Sequence, residues 1–406
     1  MYKRQALNYL YYPVLARLVG PAEFGEVQTL VSLFLQLNIF LTVLSLVIVN
    51  IVTHAADEQQ RNTLVLEFEK LALIVAGVLL MLSFLFRSPL QHFLQFESSW
   101  PFVLLALAIV VTVPFMLRGG MLRGKQKFGL VSAGNIIGAG AKIVFSALLV
   151  VLGLGTAGAV GGIVLAQIAA CAFVAWWAFR LGLRAPEGKR GRLPSLRLLK
   201  PELRFGLFVL VGSLAITLQY SLDVIVIKHY FDAHTAGLYA AIASVARIIF
   251  FLTASIPQVL ISSVRMHGEA AKSNTQLLRR SLLLLSGLSL PVLALMAAAP
   301  AWTVGTLMGE AYQAWAPLLP RLGLAIFIVS VLNLVVSFHL ALRRYGIAVA
   351  TLLGTVFTYL LILWHHQTLS AVVDGLLWGS IAMLCFIGTW LVIHKARGGM
   401  EWQPKH

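Results

Sequence analysis

The sequence is poor in charge and poorest in acid. Of 406 residues only 11% are charged, and Asp and Glu together number 15. A soluble fold carries roughly a quarter of its residues charged, so 59% hydrophobic residues and a mean hydropathy of +0.88 exclude an ordinary water-exposed surface. Cysteine is scarce: Cys171 and Cys385 sit in apolar runs, which excludes a disulfide framework and a spaced zinc site. There is no Walker motif, so the chain does not hydrolyse ATP itself. No outer loop exceeds about fifteen residues, and no acid pair or Ser/His set shares a membrane depth, so no catalytic residues are assigned and the chain does not read as an enzyme. His365-His366 lacks further ligands at metal spacing, so neither a metal nor a cofactor is expected. The apolar runs lack the alternation of outer-membrane strands.

What is present is a series of about twelve apolar runs long enough to cross a bilayer. The first is short and ends near Ala16; it has no small-residue cleavage site and reads as the rear of a first spanning helix, the chain beginning inside it. The others run from about Glu26 to Val52, Leu71 to Phe86, Pro101 to Leu117, Phe128 to Leu152 and Thr156 to Phe179. Beyond a basic linker they continue from about Phe205 to Ile227, Ala236 to Val264, Ser281 to Val304, Ala316 to Ala341, Tyr345 to Trp364 and Ala371 to Ile393. The class is therefore an all-α polytopic membrane protein. Trp100, Trp302, Trp315, Trp364 and Trp378 lie near span ends, as an interfacial aromatic belt requires.

The net charge of +16 could suggest nucleic acid, but its distribution assigns it to topology. With the amino terminus inside, twenty-five of the 31 Lys and Arg fall on the inner side, three fall outside, and Lys142, Arg247 and Arg321 stay within spans. Both termini are thus expected in the cytoplasm, and no nucleic-acid partner is expected.

The basic, proline-containing stretch from Arg180 to Arg204 divides six spans from six. This sets the expected domains: a six-helix lobe over 1–182, a cytoplasmic linker over 183–204, a second six-helix lobe over 205–394 and a tail over 395–406. The lobes share local patterns. Phe24-Gly25 and Phe40-Leu41-Thr42 have counterparts in Ala236-Gly237 and Phe251-Leu252-Thr253, and Lys127-Phe128-Gly129 matches Arg344-Tyr345-Gly346. With six spans apiece, the halves would be related by a pseudo-twofold axis along the membrane normal.

Ionised side chains inside a bilayer cost about 2.5 to 3.5 kcal/mol on insertion scales, so they face a partner or a cavity. In the fifth span Asn135, Gly138, Lys142 and Ser146 share one helix face. In the eighth, Ala240, Ser244, Arg247, Phe251, Ala254 and Gln258 form a comparable stripe, and the repeat offset relates Arg247 to Gln36. The seventh carries Gln219, Tyr220 and Asp223. One reading is a cationic cavity between lobes in which Lys142 and Arg247 bind an anionic head group, with Asn135, Gln36 and Gln219 lining it. The other is that Asp223 pairs with Arg247 or Lys142 for folding alone. Arg17, Lys228 and Arg321 are further candidates near span ends, where a long stem can snorkel. Gly134 with Gly138, and Gly158 with Gly162, suit close helix packing.

Leu15-Ala-Arg-Leu-Val-Gly-Pro-Ala-Glu-Phe-Gly25 resembles the segment after the first helix of bacterial Wzx-like polysaccharide flippases, within the multidrug/oligosaccharidyl-lipid/polysaccharide exporter superfamily. Arg118 to Gly129, the stretch from Asp223 through Lys228 to Tyr239, and Met308-Gly-Glu-Ala-Tyr312 with Ala316 and Leu318 are similar to later segments in the same order. The resemblance implies a two-lobed transporter in the bacterial inner membrane. Its substrate would be an anionic oligosaccharide on undecaprenyl diphosphate, carried to the outer leaflet for cell-surface polysaccharide such as O-antigen, exopolysaccharide or capsule. It further implies contact with membrane lipids and with glycan polymerase and export machinery, cavity roles for Arg247 and Lys142, and a structural or coupling role for Asp223. Two other classes stand beside it: a cation-coupled multidrug exporter of the same fold, and a non-transporting scaffold of glycan assembly.

Overall fold

The computed structural model describes residues 2–54, 58–183, 196–263 and 270–396. Much of the linker, and the tail beyond residue 396, lie outside them. Among the described residues every regular element is helical. In the first half these are α1 (Tyr2–Leu18), α2 (Pro21–His54), α3 (Glu58–Leu85), α4 (Arg87–Phe93), α5 (Trp100–Gly124), α6 (Phe128–Leu149) and α7 (Gly155–Arg180). In the second they are α8 (Leu196–Tyr230), α9 (Ala233–Ala246), α10 (Ile248–Thr253), α11 (Ser255–Ser263), α12 (Ala270–Ala298), α13 (Pro300–Met308), α14 (Leu319–Ala341), α15 (Gly346–Trp364) and α16 (Leu369–Ala396).

Among the described residues, 10 continuous helical stretches are long and apolar enough to cross a membrane. One of them, Phe128–Arg180, is 53 residues long and folds back on itself as two passes. The reversal occurs over Val150–Leu154, a wide π-turn, where Gly153 at φ +85° and Gly155 at φ +47° take backbone angles that side chains resist. Ser146 Oγ donates to the Ala159 carbonyl at 2.8 Å across this hairpin. Small residues close it: a Cβ on Gly134 would stand 2.7 Å from Val174 Cγ2, and one on Gly162 would overlap the Ser146 backbone. The 17-residue α1 packs on α6.

The chain forms two compact units. Unit 1 comprises Met1–Leu210, Val224–Val245 and Ala301–Ala316. Its core joins α2, α3, α5 and α7 through Ile48, Val65, Val113, Leu117, Met121 and Ala178, all buried. Here α2 and α9 cross on two glycines, Gly25 and Gly237, which are the pair matched by the sequence repeat. A Cβ on Gly25 would stand 2.9 Å from Gly237 Cα, and one on Gly237 would overlap the Pro21 carbonyl. Unit 2 comprises Val211–Asp223, Ala246–Pro300 and Pro317–His406, with a core of Ile256, Leu260, Leu285, Leu334 and Phe338.

Large apolar side chains on the outer faces, such as Ile74, Met81 and Leu85 of α3, are exposed, as lipid-facing positions must be. Trp100, Trp302, Trp364 and Trp378 are exposed as well. The span expected from Ala236 to Val264 corresponds to one apolar stretch, Ala233–Ile261, whose helix is interrupted at Arg247 (ψ −8°) and Ala254 (ψ −17°). Glu26, where the second expected span begins, is a buried residue of α2.

Candidate functional site

In unit 2, α8 carries Asp223 and the break after α9 carries Arg247. Their side chains meet: the guanidinium donates to Asp223 Oδ1 at 2.6 Å, and Asp223 is wholly buried. An ion pair out of water is held against a large desolvation cost, so removing one partner costs more than the pair contributes. One turn before Asp223, Gln219 is also wholly buried; its amide donates to Thr358 Oγ1 and to Ser380 Oγ, each at 3.2 Å, while its Oε1 has no hydrogen-bond partner. Tyr220 stacks on Phe250 with ring centroids 4.3 Å apart, and Tyr359 donates its hydroxyl to the Leu218 carbonyl at 2.8 Å. The result is a packed polar seam between α8, α10, α15 and α16.

Unit 1 holds its cation differently. Lys142 projects from α6 toward α1, where its Nζ lies 4.2 Å from the Tyr11 ring centroid and donates to Asn8 Oδ1 at 3.3 Å. An aromatic face and an amide oxygen each stabilise an ammonium. Asn135, two turns earlier, donates to the Val131 carbonyl of its own helix at 2.9 Å. Gln36 is half-buried on α2, one turn beyond the buried Ser32.

The three further candidates divide. Arg17 is exposed and donates to the Thr306 carbonyl at 2.6 Å, and Arg321 is exposed and pairs with Asp374 at 2.9 Å. Lys228 is wholly buried; its Nζ stands over the Phe96 ring at 5.2 Å and makes no hydrogen bond. Nearby in unit 1 is the buried Glu26. It accepts from Thr156 Oγ1 at 2.8 Å and from the Glu97 N–H at 2.9 Å, and so ties α2 to the start of α7. Gln28 and Ser244 are likewise hydrogen-bonded inside unit 1.

Two sequence segments far apart in the chain are joined here. The Tyr312 hydroxyl donates to the Ala16 carbonyl at 3.0 Å and the Val19 carbonyl at 3.2 Å, and its ring meets Phe24 edge-on at 5.7 Å. Gly309, at φ +114°, makes the turn that delivers Tyr312.

Solved structures share this fold at low identity. An inward-facing multidrug resistance MATE family transporter of the MOP superfamily is 16% identical with a TM-score of 0.72, over 97% of this chain and 96% of that one. The lipid II flippase MurJ in an inward closed conformation is 10% identical with a TM-score of 0.74, over 96% of this chain and 85% of the other. The MATE multidrug transporter DinF-BH is 14% identical with a TM-score of 0.69, over 97% and 92%. No curated protein matches the chain by sequence. The family model described as polysaccharide biosynthesis protein matches residues 2–261, more than half of the chain and including α1, the Lys142 helix and the Asp223–Arg247 pair, and the chain therefore belongs to the polysaccharide biosynthesis protein family.

Proposed function

We propose that the protein is a flippase that moves an anionic, lipid-linked oligosaccharide, carried on undecaprenyl diphosphate, from the cytoplasmic to the outer leaflet of a bacterial inner membrane. The observation that carries this reading is membership of the polysaccharide biosynthesis family. The sign of the internal charge supports it: Lys142 is an ammonium within a span, held by a ring and an amide, and phosphate is a natural partner for such a point charge. Lys142 is the phosphate-binding residue in this proposal, with Gln36 and Asn135 as polar lining. Arg247 and Asp223 form a structural pair beside it in role, and Gln219 orders their seam. The six-helix lobes 1–182 and 205–394 work by alternating access, both termini are cytoplasmic, and the product feeds O-antigen, exopolysaccharide or capsule synthesis with its polymerase and export machinery. A membrane potential negative inside assists outward movement of an anion by about 2.3 kcal/mol per charge per 100 mV.

The test is reconstitution into liposomes with a fluorescent prenyl-diphosphate oligosaccharide whose outward movement is followed by enzymatic trapping. Wild type should accelerate movement, Lys142→Met should abolish the acceleration, and an inside-negative potential should enhance it. Failure of wild type to move this probe, together with cation-dependent efflux of a lipophilic dye, would replace this reading with that of a multidrug exporter, which the likeness to MATE structures favours.

A further inference from the structure

The helix packed on Lys142 carries a face whose chemistry differs from that of a lipid-facing surface. On α1, Gln5, Asn8, Tyr9 and Tyr12 fall at i, i+3, i+4 and i+7, one side of the helix. Polar side chains in a bilayer are costly unless something pairs with them. Asn8 is paired with Lys142. Tyr12 is buried and meets Tyr11 edge-on at 5.6 Å and Tyr9 edge-on at 6.2 Å, which fixes the Tyr9 ring. Gln5, Asn8, Tyr9 and Lys142 remain half-buried. Two atoms on this face, Gln5 Oε1 and the Tyr9 hydroxyl, are shut off from solvent with no hydrogen-bond partner.

Such a set asks for a ligand with three properties at once. It must offer an apolar face to a ring, hydroxyls to an amide and a phenol, and negative charge to an ammonium. A lipid tail supplies only the first and a free phosphate only the last. A sugar joined to a phosphate supplies all three. We propose that Gln5, Asn8 and Tyr9 of α1, with Lys142 of α6, bind the first sugar of the lipid-linked substrate and the phosphate next to it, with the Tyr9 ring as the platform for the pyranose. This subsite rests on the flippase reading above and specifies which part of the substrate unit 1 grips.

The experiment titrates the purified full chain in detergent with two probes that share one prenyl diphosphate, one bearing a single N-acetylhexosamine and the other no sugar. Wild type should bind the sugar probe more tightly. Tyr9→Leu should weaken the sugar probe by about five- to tenfold and leave the sugarless probe unchanged, the size expected for loss of one aromatic stack. Lys142→Met should weaken both. Tyr9→Phe keeps the packing and removes only the hydroxyl, so it decides the matter if Tyr9→Leu elutes aggregated; it too should weaken only the sugar probe. The subsite is overturned if wild type binds the two probes equally, if the Tyr9 variants bind the sugar probe as wild type does, or if they lose both probes alike. In those cases the flippase reading survives as long as wild type binds and Lys142→Met does not. If wild type binds neither probe, the flippase reading itself falls and the subsite with it.

Discussion

Two of the cations within the apolar spans of this chain are held by opposite means. Arg247 in unit 2 faces a carboxylate at 2.6 Å, whereas Lys142 in unit 1 leans on the Tyr11 ring at 4.2 Å and an amide oxygen at 3.3 Å. The first contact is an ion pair; the second is made by a ring face and a neutral amide. The difference teaches that a buried base is a poor guide to function until its counter-group is known.

The largest effect should come from breaking the pair. Asp223→Ala leaves a buried guanidinium uncompensated and should lower stability by about 3–5 kcal/mol, seen as a collapse of the melting temperature in detergent. The double variant Asp223→Leu with Arg247→Met should recover most of that loss; continued collapse would show that the pair does more than neutralise itself. Next is the crossing of α2 and α9. Gly237→Ala drives a methyl group into the Pro21 carbonyl and should cost about 1–3 kcal/mol or more, read by the same melt. Lys142→Met should sit below both in stability, at about 1 kcal/mol, the worth of one cation–ring contact, yet abolish transport of an anionic lipid probe. A melt as damaged as that of Asp223→Ala would erase the contrast between the two cations. Gln219→Leu deletes two buried hydrogen bonds, to Thr358 and Ser380, and should lower stability by about 1 kcal/mol, read by the same melt.

The smallest effect is one of pH. The Lys125 ammonium, and after it Arg61, hold the Glu58 carboxyl below the usual carboxylate range at the start of α3. A carboxylate with a lowered folded-state pKa adds stability above its unfolded value and loses it as pH falls through the folded one. The melting difference between wild type and Glu58→Gln should therefore be present at neutral pH and vanish in acid below the ordinary carboxylate range.

Much of the fold is legible in the sequence because the bilayer imposes one rule, that backbone polar groups be satisfied within a helix, and long apolar runs satisfy it visibly. The glycine match between Gly25 and Gly237 is legible as a repeat, while its physical meaning, a close crossing, appears only in the folded chain. The partner of Asp223 is not legible: its sign narrows the choice to Arg247 or Lys142, but 24 positions and a chain reversal separate it from Arg247, and no local period spans that. The face of α1 is hidden for another reason. Its tyrosines count as apolar in any scan for spans, so Gln5, Asn8 and Tyr9 read as part of a short hydrophobic run.

The crossing of α2 and α9 also dictates an order of events during synthesis. Gln28 and Ser244, the hydrogen-bonded pair beside the two glycines, are 216 positions apart. At about 5–20 residues per second, a ribosome needs roughly 10 to 40 s to deliver the second partner after the first. For that interval the notch around Gly25 has only lipid to fill it, and Tyr312, which seals the end of α1, arrives later still. Unit 1 is therefore unfinished through most of translation although more than four fifths of it emerges early, and whatever shields its open notch in the membrane acts before the chain is complete.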